Sequence, residues 1–273
     1  MQYTAQSGKY IFKNFWYIFP FAIIPAFFFA LSSDREAIRC AVETLFTGRI
    51  NEFHFAHLFR AISILNFASW QSVVFGILGV FLIVLCVAMM LALLDKHMRI
   101  GKRTYNGLFS KLNDNLVSTA GYAFLLLVIY EIWALVTAAL LDLFFMIPNT
   151  LIAYILSGFV FLTMHIVLIY AIGTIYLWLP CMQITGFKAL EALQYSYQLT
   201  SPVKWRLLFG QLFILLSVEA LICVCACFIP FGGLFWLVTA GLYALMIMTY
   251  CVRMMVAYFD RDNIQRADLN RYY

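Results

Sequence analysis

SVVFGILGVFLIVLCVAMMLALL, residues 72–94, carries no charged side chain and is followed at once by Asp95, Lys96 and His97. A helix rising 1.5 Å per residue needs about 20 mostly apolar residues to cross about 30 Å of hydrocarbon. This run has that length, and the charges after it mark where water begins. Five more runs of the same kind lie at about 15–31, 117–146, 151–179, 207–229 and 234–258. The spacing predicts an all-α membrane protein, with six transmembrane helices in three hairpins forming one integral membrane domain over 1–273. The runs at 117–146 and 151–179 exceed the minimum, so tilt or an interfacial turn is expected there.

Composition excludes a soluble fold. The 273 residues are 64% hydrophobic and 11% charged, whereas a soluble domain carries about 25% charged residues. So much apolar surface has to be covered by lipid. The net charge of +5 does not signal nucleic acid, because the bases sit in short loops beside apolar runs. That placement reports orientation and attraction to anionic lipid. Of seven cysteines, all but Cys40 lie in or beside apolar runs, so no secreted disulfide framework is present. Cys223, Cys225 and Cys227 alternate, and alternate side chains on a helix point apart rather than converging on a metal. No phosphate-binding, nucleophile-elbow, zinc-protease or dinucleotide motif occurs. The expectation is a protein without enzymatic activity and without a cofactor.

Lysine and arginine set the orientation. One side collects Lys9, Lys13, Lys96, Arg99, Lys102, Arg103, Lys111, Lys188, Lys204, Arg206, Arg261, Arg266 and Arg271. The other has Arg35, Arg39, Arg49 and Arg60, interleaved with Asp34, Glu36, Glu43 and Glu52. The richer side is expected to be cytoplasmic, with both termini there and the chain in the cell membrane. Lys9, Lys13, the first apolar run and Ala30-Leu31-Ser32 also match a signal peptide. Pro20, Pro25 and the bulky aromatics of that run favour an uncleaved anchor instead.

The connections are patterned too. Between the first two runs, Ser33 and Glu36 read as a capping box. Ala37, Ile38, Ala41, Val42, Leu45 and Phe46 then repeat at helical spacing toward a stop at Gly48. Residues 51–60, with Phe53, Phe55, Leu58 and Phe59, continue an amphipathic element expected to lie on the outer surface. On the basic side, Tyr105, Leu108, Phe109, Leu112 and Leu116 form one apolar stripe. Phe187, Leu190, Leu193 and Tyr197 form another, opposite Lys188, Glu191, Gln194 and Gln198. Each precedes a hairpin, and Lys9 to Trp16 does so more weakly. The order of interfacial segment then hairpin, three times over, reads as a degenerate threefold repeat. Gly76 with Gly79, Ala134 with Ala138, and Ala240 with Ala244 read as close-packing positions.

Lys188-Ala189-Leu190-Glu191-Ala192-Leu193, Tyr195-Ser196-Tyr197-Gln198-Leu199-Thr200, Trp205 and the closing Tyr258-Phe259-Asp260-Arg261 resemble motifs of a bacterial group. That group contains the YciC-like six-span membrane proteins and the membrane domain attached to some glycerophosphodiester phosphodiesterases. The resemblance implies an envelope membrane protein. The phosphodiesterase is a separate soluble barrel with no counterpart in this chain, so no catalytic residue carries over.

Ionisable residues inside the spans are the sharpest functional signal. Glu131, His165 and Glu219 lie mid-run, Asp142 lies near the outer end of its run, and Arg253 lies near the inner end of the last. A central acid costs about 3 kcal/mol on insertion, and each Leu, Ile or Phe returns about 0.3–0.6. Insertion is therefore affordable, but the carboxyl must still find a partner. Glu131 and His165 lie equally far from the turn between their spans, so a contact between them is expected, with Tyr130, Tyr154 or Tyr170 as other partners. Arg253 is expected to snorkel to the inner interface beside Asp260. His54 and His57, with Glu52 nearby, fall short of the three or four ligands zinc requires. The sequence thus points to an envelope protein acting through membrane lipids or a membrane protein partner. Transport of a small molecule or lipid through Glu131, His165 and Glu219 is the alternative.

Orientation is directly testable. A membrane-impermeant thiol reagent applied to intact cells should label Cys40 and spare Cys181. A cytoplasmic reporter fused after Tyr273 should be active; activity there of a reporter that works only in the periplasm would overturn the assignment.

Overall fold

The computed structural model describes residues 2–47, 54–67 and 69–269. Its long elements are helices: α1 Gln2–Ser32, α2 Arg35–Thr47, α3 Phe55–Ile62, α4 Trp70–Ile100, α5 Leu108–Phe145 and α6 Thr150–Thr174. A single turn, α7 Trp178–Pro180, leads through a π-helical turn at Cys181–Thr185 to α8 Ala189–Thr200, α9 Lys204–Phe228 and α10 Gly232–Arg261. Six stretches are long and apolar enough to cross a bilayer. The chain is a multi-pass, all-α membrane protein.

Local chemistry sets the ends. The Ser69 side chain accepts from Ser72 N at 3.1 Å and starts α4. Gly101, with φ +70°, ends it, and a Cβ there would meet the Ala267 carbonyl oxygen at 3.1 Å. Glycine is thus required both for the left-handed turn and for the close approach. Asn149 accepts from Ile152 N at 3.2 Å and starts α6. Asp34, rather than Ser33 of the expected capping box, caps α2 by accepting from Ala37 N at 3.0 Å. The Ser33 hydroxyl instead bonds back to the Phe29 carbonyl. Gly48, the expected stop of α2, lies outside the described residues.

The crossing helices close into a ring in the order α4, α1, α10, α9, α6, α5 and back to α4. Its densest part is α1 against α10 and α4. Ala22, Ala26 and Ala30 recur once per turn of α1 and are fully buried, which lets the backbones come close. Ala134, Ala138, Ala240 and Ala244 are likewise buried, and a Cβ on Gly79 would meet the Phe29 ring at 2.9 Å. A kink at Asn14 (φ −117°, ψ 21°) divides α1 into a leading segment and the crossing segment. The amphipathic stripe around residues 105–116 forms no separate helix. From Leu108 it runs straight into the span, because α5 meets neither proline nor a backbone break over its 38 residues.

The two chain ends share one face, called the basic face below. The Tyr3 hydroxyl donates to Asp260 at 2.5 Å, and Ala267 N donates to the Met98 carbonyl at 2.8 Å. Asp262 accepts from Tyr258 at 2.8 Å and from Tyr195 of α8, and Arg261 donates to the Leu199 carbonyl at 3.2 Å. The closing Tyr-Phe-Asp-Arg element therefore staples α1, α8 and α10 together.

On α8 the apolar stripe read from the sequence is not the side that faces the bundle. The face against the bundle is Ala192, Ser196, Leu199 and Thr200, all buried. Leu193 lies at its margin, while Phe187, Leu190 and Tyr197 are exposed. Successive residues turn by 100°, so a hydrophobic stripe and a docking face can sit side by side on one helix.

This predicts opposite outcomes for neighbouring substitutions. Ala192→Glu should bury a carboxylate and cost roughly 3 kcal/mol or more of thermal stability. Leu190→Glu should leave the melting of the detergent-solubilised bundle nearly unchanged. Equal losses would show that α8 docks through its apolar stripe after all.

Candidate functional site

Glu131 lies fourteen residues before the end of α5, about 21 Å along the helix. α3 packs along that end of α5, with Leu58 buried against Ala138, Leu141 and Phe145. It therefore descends beside α5 instead of lying on the outer surface, and it delivers the break between α3 and α4 to Glu131. There Ser63 Oγ donates to Glu131 Oε2 at 2.7 Å, while the backbone N–H groups of Ile64 and Leu65 donate to Oε1 at 3.0 and 2.9 Å. Tyr130 donates to the Ile62 carbonyl at 3.0 Å, and Ser32 donates to the Ile64 carbonyl at 3.1 Å. The polar groups of this non-helical segment are thus answered from α5 and α1, as an apolar setting demands.

His165 has a different partner from the expected Glu131. Its Nε2 lies 2.8 Å from Oε2 of Glu219 on α9, and its Nδ1 lies 2.8 Å from the Phe161 carbonyl oxygen. A carbonyl only accepts, so Nδ1 carries a hydrogen. One further proton must then sit between Nε2 and Glu219, giving either an imidazolium–carboxylate pair or an imidazole–carboxylic acid pair. Both forms are neutral overall, which suits burial. The His165 side chain is fully buried, and that of Glu219 is 29% exposed. Trp133 and Phe161 wall the imidazole, with ring centroids 4.9 and 4.2 Å away, and Trp133 Nε1 donates to the Met164 carbonyl at 2.7 Å.

The Tyr130 ring packs on Trp133 with centroids 5.2 Å apart, and Trp133 in turn walls His165, so Glu131 and the His165–Glu219 pair are neighbours. The Tyr243 hydroxyl lies 3.3 Å from that of Ser33, where α1 gives way to α2. The three mid-span residues singled out from the sequence therefore share one polar layer, in which Glu131 holds a backbone break and His165 pairs with Glu219. Tyr154 and Tyr170 stand apart, donating to the Leu45 carbonyl and lying 3.6 Å beneath Lys204 Nζ, respectively. The role of Ser63, Ile64 and Leu65 escaped sequence reading. The available signal was a connection, Ile62 to Phe67, too apolar to be a solvated loop.

Arg253 does not snorkel. It is 1% exposed and faces α9, donating to the Leu207 and Arg206 carbonyls at 2.5 and 3.4 Å and to Gln211 Oε1 at 3.1 Å. Asp260, its expected neighbour, is taken by Tyr3. Gly210 makes the room, since a Cβ there would lie 2.6 Å from the guanidinium. His54 and His57 have ring centroids 6.3 Å apart, Glu52 lies outside the described residues, and no three metal-binding side chains converge among those described.

With this geometry in hand, the class is an integral membrane protein of six spans enclosing an intramembrane polar layer. Neither a family model, a curated protein nor a solved structure matches the chain.

Glu131→Ala should leave three donors without an acceptor and lower thermal stability by roughly 1–3 kcal/mol. Glu131→Gln, which keeps a carbonyl oxygen for the two backbone donors, should lose less than half as much. Thermal melts of the two variants showing no loss for alanine would mean that Glu131 does not hold the α3–α4 break.

Proposed function

We propose that this is a non-enzymatic envelope protein of the bacterial cell membrane that works by contact with membrane lipids or a protein partner on its basic face. That face is assigned to the cytoplasm by its excess of lysine and arginine. The observation that carries the proposal is the unused side of α8 and its surroundings. Leu190 and Tyr197 stand exposed beside Lys188, and Phe109, Phe12 and Trp16 stand exposed near Lys111, Lys9 and Lys13. Exposed apolar side chains beside lysines suit the boundary between acyl chains and anionic headgroups. The resemblance to the YciC-like group agrees with an envelope setting and supplies no chemistry.

A second reading, movement of a small molecule or lipid through the bundle, is favoured by one observation. The 2.8 Å contact between His165 and Glu219 joins two titratable side chains and, unlike Glu131, is not needed to close a backbone break.

Lipid nanodiscs separate the two. The thermal midpoint should lie several degrees higher in phosphatidylglycerol than in phosphatidylcholine, and Leu190→Glu with Tyr197→Glu should narrow that gap. No lipid dependence in the unsubstituted protein would remove the first reading. Solute- or proton-driven flux in proteoliposomes that His165→Gln abolishes would establish the second.

A further inference from the structure

Between the basic ends of α4 and α5 lies a cleft of about 410 Å³. Its walls carry Lys96 and Arg99 from α4 and Lys111 from α5, with Asp95 as the one acidic residue. Asp95 is occupied by Arg99, whose Nε donates to it at 2.6 Å. Lys96 donates to the Asn106 carbonyl at 2.7 Å. Both bases still have donors to spare, since an ammonium has three and a guanidinium five. The Lys111 ammonium has no hydrogen bond or ion pair among the described residues.

Two features turn this charged cleft toward an anion. The 38-residue helix α5 begins here, after Gly107 at φ +73°, with no side-chain cap and no acidic residue in its first turn. Gly107, Leu108 and Ser110 line the cleft, so the positive end of the helix dipole opens onto it. Independently, Asn115 lines the same cleft while only 8% exposed, and its carboxamide has no hydrogen-bond partner among the described residues. A largely buried amide with no protein partner is left to hydrogen-bond with whatever fills the cleft. Asn115 follows Lys111 by four residues and so lies on the same face of α5.

We propose that this cleft binds the phosphate headgroup of an anionic phospholipid, with Asn115 and Lys111 of α5 and Lys96 and Arg99 of α4 as its ligands. This rests on the reading that the basic face works by lipid contact, and it names the site and the lipid class. The shared chemistry is a phosphate anion; the lipid is the source because the cleft sits where the apolar runs of α4 and α5 end. Its lining includes buried Leu91, Leu93 and Met255 below and exposed Ile100 at the rim. A phosphodiester meets the bases and the helix terminus while its glycerol and acyl carbons meet that rim.

The test is binding of phosphatidylglycerol to the purified full chain, measured by native mass spectrometry and by titration in detergent. Phosphatidylcholine and inorganic phosphate serve as the other probes. Saturable phosphatidylglycerol binding is expected, about tenfold weaker in Lys111→Gln and in Asn115→Leu, the loss of one charge-assisted hydrogen bond each. Arg39→Gln, on α2 and away from the basic face, should bind normally, and unchanged elution on gel filtration certifies that the variants fold. Inorganic phosphate binding as strongly as the lipid would overturn the lipid source. Phosphatidylglycerol held equally by the Lys111 and Asn115 variants would overturn the cleft while leaving the lipid-contact reading in place. No preference for phosphatidylglycerol over phosphatidylcholine in the unsubstituted protein would overturn both.

Discussion

Hydrocarbon offers no hydrogen bonds, so a chain that leaves the helix inside a membrane protein has to find partners for its backbone within the protein. The break between α3 and α4 is where this demand is sharpest. Three donors from Ser63, Ile64 and Leu65 converge on one carboxylate, Glu131, while Tyr130 and Ser32 serve the carbonyls of Ile62 and Ile64. Much of the far side depends on that arrangement. It fixes where α3 ends along α5, and α3 in turn supports α2, whose Ile38 packs against Val218, Ile222 and Phe235.

The ring is uneven. The packing of α1 against α4 and α10 is dense and rich in fully buried side chains, and the chain ends staple it further at the basic face. The arc formed by α5, α6 and α9 is sparser, and it carries both the His165–Glu219 pair and the anchored break. A rigid half faces a looser half that holds polar groups. That division leaves freedom where a proton or a ligand could act, because fewer buried contacts resist local movement.

Arg253 shows a third way to keep a charge inside. Among the described residues it pairs with no carboxylate. Its hydrogen bonds go to carbonyls in the first turn of α9 and to Gln211, in a space left by Gly210. Those carbonyls already serve their own helix, and their second lone pairs are free to accept. The arrangement joins α9 to α10 at the basic end, so removing the guanidinium would cost a helix contact as well as a charge.

The number of spans, their hairpin order, the small-residue contacts and the basic asymmetry were all legible in the sequence. Each of these depends on run length, local spacing or charge beside a run, which are properties of neighbours in the chain. The presence of Glu131, His165, Glu219 and Arg253 within the crossing helices was legible for the same reason, since each interrupts an apolar run. Their partners were not. Glu131 and His165 sit on consecutive helices at matching depth, yet Glu131 serves a segment 66 to 68 residues away and His165 a side chain 54 residues away. The docking face of α8 and the inward turn of Arg253 were hidden likewise. Rotation about a helix axis by 100° per residue decides which side chains meet, and that rotation is set only when every helix of the ring has packed against its neighbours.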